Sequence, residues 1–234
     1  MFGRKREDPQ IAPVPWDTEG PFVVGDVVRP AAYRQKGLSG RRAVRMSVTL
    51  DGVRYFAAAA YVERRVPEVR SYQLYDARRA QELLCTIAPV SGGGGGERYE
   101  VRDQAGRELG LVFRTAAAKR AVQHGWWLRQ PGHPDIVARY HWARGSAKDI
   151  AARGREAGVR GAGGLVASVA DSVITGDTAA DSRSSVRPTK PVTWCADDMV
   201  ALTAGHTQGI KSYIPQASWL DRRLAFALAV LRQD

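Results

Sequence analysis

Apolar and polar residues alternate along much of the first half of the chain, then give way to an unbroken apolar run near its end. In residues 43–50 every second position is apolar (Val44, Met46, Val48, Leu50), the period of a half-buried strand. Asp51-Gly52 marks a tight hairpin, and residues 53–56 return from it. Residues 22–28 predict a short strand before this pair, and residues 29–42, with Pro30, Gly37 and Gly40, predict a loop. Residues 57–65 fit either a continuing strand or a short helix.

Three later segments share one design: an aromatic-led strand, a short polar, Gly or Pro turn, and an apolar strand. They are residues 71–76 with 82–87, 98–103 with 108–113, and 125–130 with 135–142. Three such hairpins predict a mainly β domain, an antiparallel meander of barrel-like form. Gly92 to Gly96 reads as a link between the first two hairpins. It is not expected to cradle phosphate, because no Lys-Ser/Thr follows it. Residues 145–190 lose their aromatics and turn rich in Gly, Ala, Ser and Asp. Residues 164–174 there predict a short amphipathic helix, and residues 175–188 a polar, mobile stretch. Strand-like sequence resumes at 191–195 and 199–203, so this stretch reads as an excursion within one domain covering residues 21–234. Residues 1–20, charged and holding Pro9, Pro13 and Pro15, predict a flexible lead-in.

From Leu224 to Leu231 no side chain is polar. Successive helical positions turn by about 100°, so such a run is apolar on every face. It falls far short of the roughly 20 residues that span a bilayer. The expectation is a helix enclosed by the protein's own β-structure. Ser218 and Asp221 have the spacing of a capping box at its start.

Composition adds charge and little chemistry. The 234 residues carry a formal charge of +11, with arginine far outnumbering lysine. Such a balance favours polyanions, either an anionic membrane surface or nucleic acid. The densest basic stretch lies between Asp26 and Asp51, where no acid interrupts Arg29, Arg34, Lys36, Arg41, Arg42 and Arg45, with Tyr33 among them. These six are the candidate anion-binding residues, for lipid headgroups or a nucleic-acid backbone. A solvated loop in an arginine-rich protein is the competing reading. Of the neighbours Trp126 and Trp127, strand geometry turns one inward.

Cys85 and Cys195 form no CxxC pair. They read as reduced, buried thiols, with one long-range disulfide as the alternative. His124, His133, His141 and His206 match no metal-ligand spacing, and Asp197-Asp198 reads as a solvated or capping pair. No nucleophile elbow, Cys-His pair or Walker loop is present. No catalytic residue, metal or cofactor is expected. The charged N-terminal stretch lacks an apolar signal core, which leads to a cytoplasmic expectation, peripheral to the membrane if lipid is the partner.

Tyr99-Glu-Val-Arg-Asp103-Gln-Ala-Gly106-Arg-Glu-Leu109-Gly110-Leu-Val112, then Trp127 with Val137-Ala-Arg139, then Leu220-Asp221 through Leu231, resemble in joint order the tubby C-terminal-like proteins. That superfamily includes the LURP-one-related proteins and the phospholipid scramblases. The resemblance spans roughly residues 43–234 and implies a closed antiparallel barrel around a central C-terminal helix. No motif here takes the tubby phosphoinositide residues, and the cysteine-rich and acidic calcium motifs of scramblases have no counterpart. The expected function is a non-enzymatic binding or scaffold protein of unknown ligand, with anionic lipid headgroups at the inner membrane surface as the candidate. Nucleic-acid binding through the basic surface, and an enzyme with a pocket at the barrel mouth, stand as alternatives.

Overall fold

A computed structural model of the chain describes residues 11–27, 39–50, 52–91, 96–116, 125–140, 192–207 and 210–233. The strands among them are β1 (Phe22–Val27), β2 (Ser39–Leu50), β3 (Val53–Val66), β4 (Val69–Asp76), β5 (Leu83–Pro89), β6 (Gly96–Asp103), β7 (Glu108–Thr115), β8 (Trp126–Arg129), β9 (Ile136–Tyr140), β10 (Val192–Ala196), β11 (Met199–Thr207) and β12 (Ile210–Pro215), followed by the helix α1 (Arg222–Arg232). Each strand pairs antiparallel with its chain neighbours. β1 then closes the ring on β12, with Phe22 opposite Tyr213 on one side and Met46 on the other. The result is a closed barrel, which leaves no edge strand exposed.

The three aromatic-led hairpins follow one rule of side-chain parity. Tyr72, Leu74 and Asp76 on β4, Tyr99, Val101 and Asp103 on β6, and Trp126 and Leu128 on β8 are buried at every second position. The apolar members join Phe22, Met46, Ile87, Val112, Ile136, Trp194, Leu202 and Tyr213 in one core cluster around α1. All eight residues from Leu224 to Leu231 are at most 1% exposed, so the barrel encloses the helix on every side. Fully burying a Leu or Phe side chain contributes about 1.5–3 kcal/mol, so this run is a large share of the core's stabilisation. No helix among the described residues is long and apolar enough to cross a membrane.

Antiparallel neighbours alternate in direction, so connections fall at two ends. The turns around 52, 77–82, 104–107, 130–135 and 197–198 share one end with the link 216–221 into α1. We term it the entry end. α1 runs from there toward the opposite end, the mouth. At the entry end the Asp221 carboxylate caps the helix, accepting from the Arg223 amide at 2.8 Å. Gln130 clamps the same link: its Nε2 donates to the Trp219 carbonyl at 2.7 Å, and its Oε1 accepts from the Asp221 amide at 2.8 Å. His133 stacks on Trp219 with ring centroids 4.2 Å apart.

Several expectations are corrected. The cap is Asp221 and not Ser218, because Ser218 lies in the turn that precedes the helix and Asp221 holds the extended backbone (φ −60°, ψ 120°) a cap requires. β2 begins at Ser39, inside the expected loop, because Ser39 pairs with Val27 across the β1–β2 seam. Of the two readings left open for residues 57–65, the structure takes the strand, as part of β3. β12, not foreseen, completes the ring. Residues 11–20 are docked: Val14 and Trp16 pack on the core, and the Val14 amide donates to the Ala58 carbonyl at 2.9 Å. Residues 1–10, the predicted helix at 164–174 and the stretch 175–188 lie outside the described residues. Cys85 and Cys195 are buried free thiols, as expected. Burial pushes the Cys85 thiol up to about 12, far from a reactive thiolate.

Candidate anion site at the barrel mouth

The inward-facing rows of the barrel change character as they approach the mouth. Arg70 stands two residues mouthward of Tyr72 on β4, Glu97 two mouthward of Tyr99 on β6, and Arg114 two beyond Val112 on β7. Arg64 stands two beyond Val62 on β3, and Arg42 two before Val44 on β2. Period-2 geometry gives each the same facing as its apolar neighbour. The core thus ends in a ring of guanidinium groups. Arg42 and Arg64 both lie 5.9 Å from the centroid of the Tyr72 ring. Arg114 lies 5.4 Å from the Trp126 ring. Arg232, in the last turn of α1, lies 4.8 Å from the Trp194 ring.

Glu97 is the acid set into this ring. It accepts from Arg114 Nη1 at 3.0 Å, from Arg70 Nη1 at 3.4 Å and from the Tyr99 hydroxyl. Burial alone would raise its pKa, but the Tyr99 hydrogen bond and the two arginines outweigh it and hold the carboxyl below its ordinary value. Tyr99 answers in the opposite sense: burial, then the bond to Glu97, push its phenol up to about 12. Arg42, Arg64, Arg70, Lys211 and His206 each make further contacts as well.

Two arginines of the ring have unmet donors. Arg114 Nε, and both Nε and Nη1 of Arg232, are buried without a hydrogen-bond acceptor among the described residues. Each such donor costs about 1–3 kcal/mol, and a cation over an aromatic face returns about 0.5–2 kcal/mol. Stacking therefore offsets only part of the deficit. The two sites adjoin, because the Trp194 indole N–H donates to the Trp126 carbonyl at 3.1 Å. The C-terminal end of α1 brings a partial charge of roughly −0.5 to the mouth. Arg232 alone exceeds that.

The six residues singled out from the charge run separate. Arg29, Arg34 and Lys36 lie outside the described residues, in the connection between β1 and β2. Arg42 belongs to the mouth. Arg41 turns to the outer wall, where it pairs with Glu63 and lies 4.5 Å from the Tyr61 ring. Arg45 is buried at 3% exposure, with Nε on the Gly25 carbonyl at 3.0 Å and Nη2 on the Arg41 carbonyl at 2.7 Å. Burial lowers its pKa. Those bonds stitch the β1–β2 seam and give Arg45 a structural role. The residues missed are Arg64, Arg70, Arg114 and Arg232, scattered in sequence and gathered by closure of the barrel. Trp127, the outward neighbour of Trp126, stacks on Phe113 at 3.6 Å and takes no part.

No protein-family model matches the chain, and neither a curated protein nor a solved structure does.

Proposed function

We propose that the chain is a non-enzymatic binding or scaffold protein that takes an anionic lipid headgroup at the inner membrane surface, through the mouth of its barrel. The carrying observation is the convergence of Arg42, Arg64, Arg70, Arg114 and Arg232 at one end, four of them stacked on Tyr72, Trp126 or Trp194. Each basic side chain near an anionic surface contributes about 1 kcal/mol, enough in sum for salt-sensitive binding. The candidate acid–base groups favour binding over catalysis. Glu97 is engaged by three donors, and Cys85 is held as a thiol deep in the core. A barrel around an apolar C-terminal helix is also what the resemblance to tubby C-terminal-like proteins implies, and it supports that kinship.

Co-sedimentation with phosphatidylcholine vesicles, with and without phosphatidylserine, tests the proposal. Binding should favour the anionic vesicles at low salt. It should fade as salt brings the Debye length to about 10 Å at 0.1 M. Equal binding to both kinds of vesicle would end it.

A further inference from the structure

The geometry points to a phosphate-group subsite inside the mouth, formed by Arg114 and Arg232 between the Trp126 and Trp194 rings. It belongs to the same mouth on which the proposed lipid binding rests, and it specifies which chemical group is gripped there.

The demand comes from counting donors. At the mouth three guanidinium nitrogens, Arg114 Nε with Nε and Nη1 of Arg232, have no acceptor among the described residues, and Arg222 Nε at the entry end shares that lack. Arg114 Nη1 is committed to Glu97 at 3.0 Å. Arg232 makes no ion pair among the described residues. A carboxylate offers two oxygens, whereas the terminal phosphate of a monoester offers three, each a strong charge-assisted acceptor. Three donors on two separate guanidinium planes fit the second better. The tryptophans hold both cations in place before any ligand arrives. Trp194 is fixed by its bond to the Trp126 carbonyl, so the two stacks are coupled. The three nitrogens are themselves covered in the free chain, so an anion would first meet the exposed fifth of the Arg114 side chain and the half-buried Arg232, and reach the covered donors as those side chains shift.

Either a free phosphate or a lipid phosphomonoester carries this chemistry, and two arms of one experiment separate them. In the first, inorganic phosphate is titrated into the full chain at low ionic strength, with calorimetry, melting temperature and tryptophan emission as readouts. Wild type should bind, melt at a higher temperature and shift its emission as Trp126 and Trp194 sense the anion. Arg232→Gln and Arg114→Gln should each weaken binding about tenfold or more, the loss of one charge-assisted contact. Arg54→Gln, an exposed site on β3 near the entry end, should leave it unchanged. Arg232→Lys keeps the charge and loses the guanidinium donors. It should also bind weakly while melting as wild type does without phosphate. In the second arm, phosphatidylcholine vesicles carrying phosphatidic acid replace the free ion. Vesicle binding that inorganic phosphate neither accompanies nor competes with would overturn the subsite and spare the membrane proposal. Phosphate binding lost in both glutamine variants, without vesicle binding, would keep the subsite and sink the membrane proposal. Phosphate affinity equal in wild type and both glutamine variants would overturn the subsite outright.

Discussion

Gly110 shows how tightly the wall meets the helix it encloses. Its φ is 151°, and a Cβ built there would lie 2.3 Å from the Arg129 carbonyl oxygen and 2.9 Å from Leu224 Cδ2. The first contact is with backbone of the neighbouring strand β8, which cannot turn aside as a flexible side chain can. Gly106, in the β6–β7 turn, differs. Its φ is 78°, but nothing lies within 4 Å of the added carbon. Backbone strain alone costs of order 1 kcal/mol, and overpacking a filled site adds about 1–3 kcal/mol. Gly110→Ala should therefore lower the unfolding free energy by roughly 2–4 kcal/mol, and Gly106→Ala by about 1 kcal/mol. Urea denaturation of both variants measures the difference. An equal cost at the two positions would mean that β7 does not seat against α1 through Gly110.

The hairpins carry a polarity that explains their repeated motif. The aromatic of each first strand sits toward the mouth, and a polar residue four positions on sits at the entry end. Asp76 accepts from the Arg78 amide at 2.7 Å, and Asp103 from the Ala105 and Arg107 amides, both at 2.9 Å. In the third hairpin Gln130 takes this place and clamps the helix link instead. Asp103 is 4% exposed and also accepts from Arg107 Nε at 2.8 Å. Burial would raise its pKa, but these bonds prevail and hold it below the ordinary value. A depressed carboxyl adds stability above its unfolded pKa of about 3.9 and loses it as pH falls through the folded value. The melting temperature should thus drop as pH falls below about 4, with Glu97 acting in the same sense. Asp103→Asn should flatten that slope, and an unchanged slope would acquit Asp103. These hairpins were legible in the sequence because their pairing is local and their alternation regular. The start of β2 was not, because Gly37 and Gly40 give it the look of a loop, and β12 was not, because it gains its second partner only when β1 closes the ring on it. The site was half legible for the same reason. A charge run reveals Arg42 but cannot separate it from Arg41, which falls on the opposite face. Parity would have found Arg70 and Arg114, each two residues beyond an inward Tyr72 or Val112.

At the scale of the whole molecule, enclosure of α1 was foretold by a run with no polar face, and it leads to a sharp expectation. A helix on a surface can tolerate a charge by turning it to water, but here each residue from Leu224 to Leu231 is at most 1% exposed. Leu228→Asp would place a carboxylate in the core cluster formed by Phe22, Val112, Trp194 and their neighbours. An unpaired buried charge costs several kcal/mol even after relaxation, and the leucine's own packing, about 2–5 kcal/mol, is lost with it. The sum rivals the about 5–15 kcal/mol that holds a typical domain folded. Leu228→Ala forfeits only the packing and should fold with a lowered melting temperature. Leu228→Asp should not fold at all. Circular dichroism and calorimetry on the two variants decide the matter: a Leu228→Asp protein that is soluble and melts cooperatively would show that water reaches the helix. The mouth would then be no lid on a dry core, and the stacked arginines would lose the low-dielectric setting that makes their unmet donors costly.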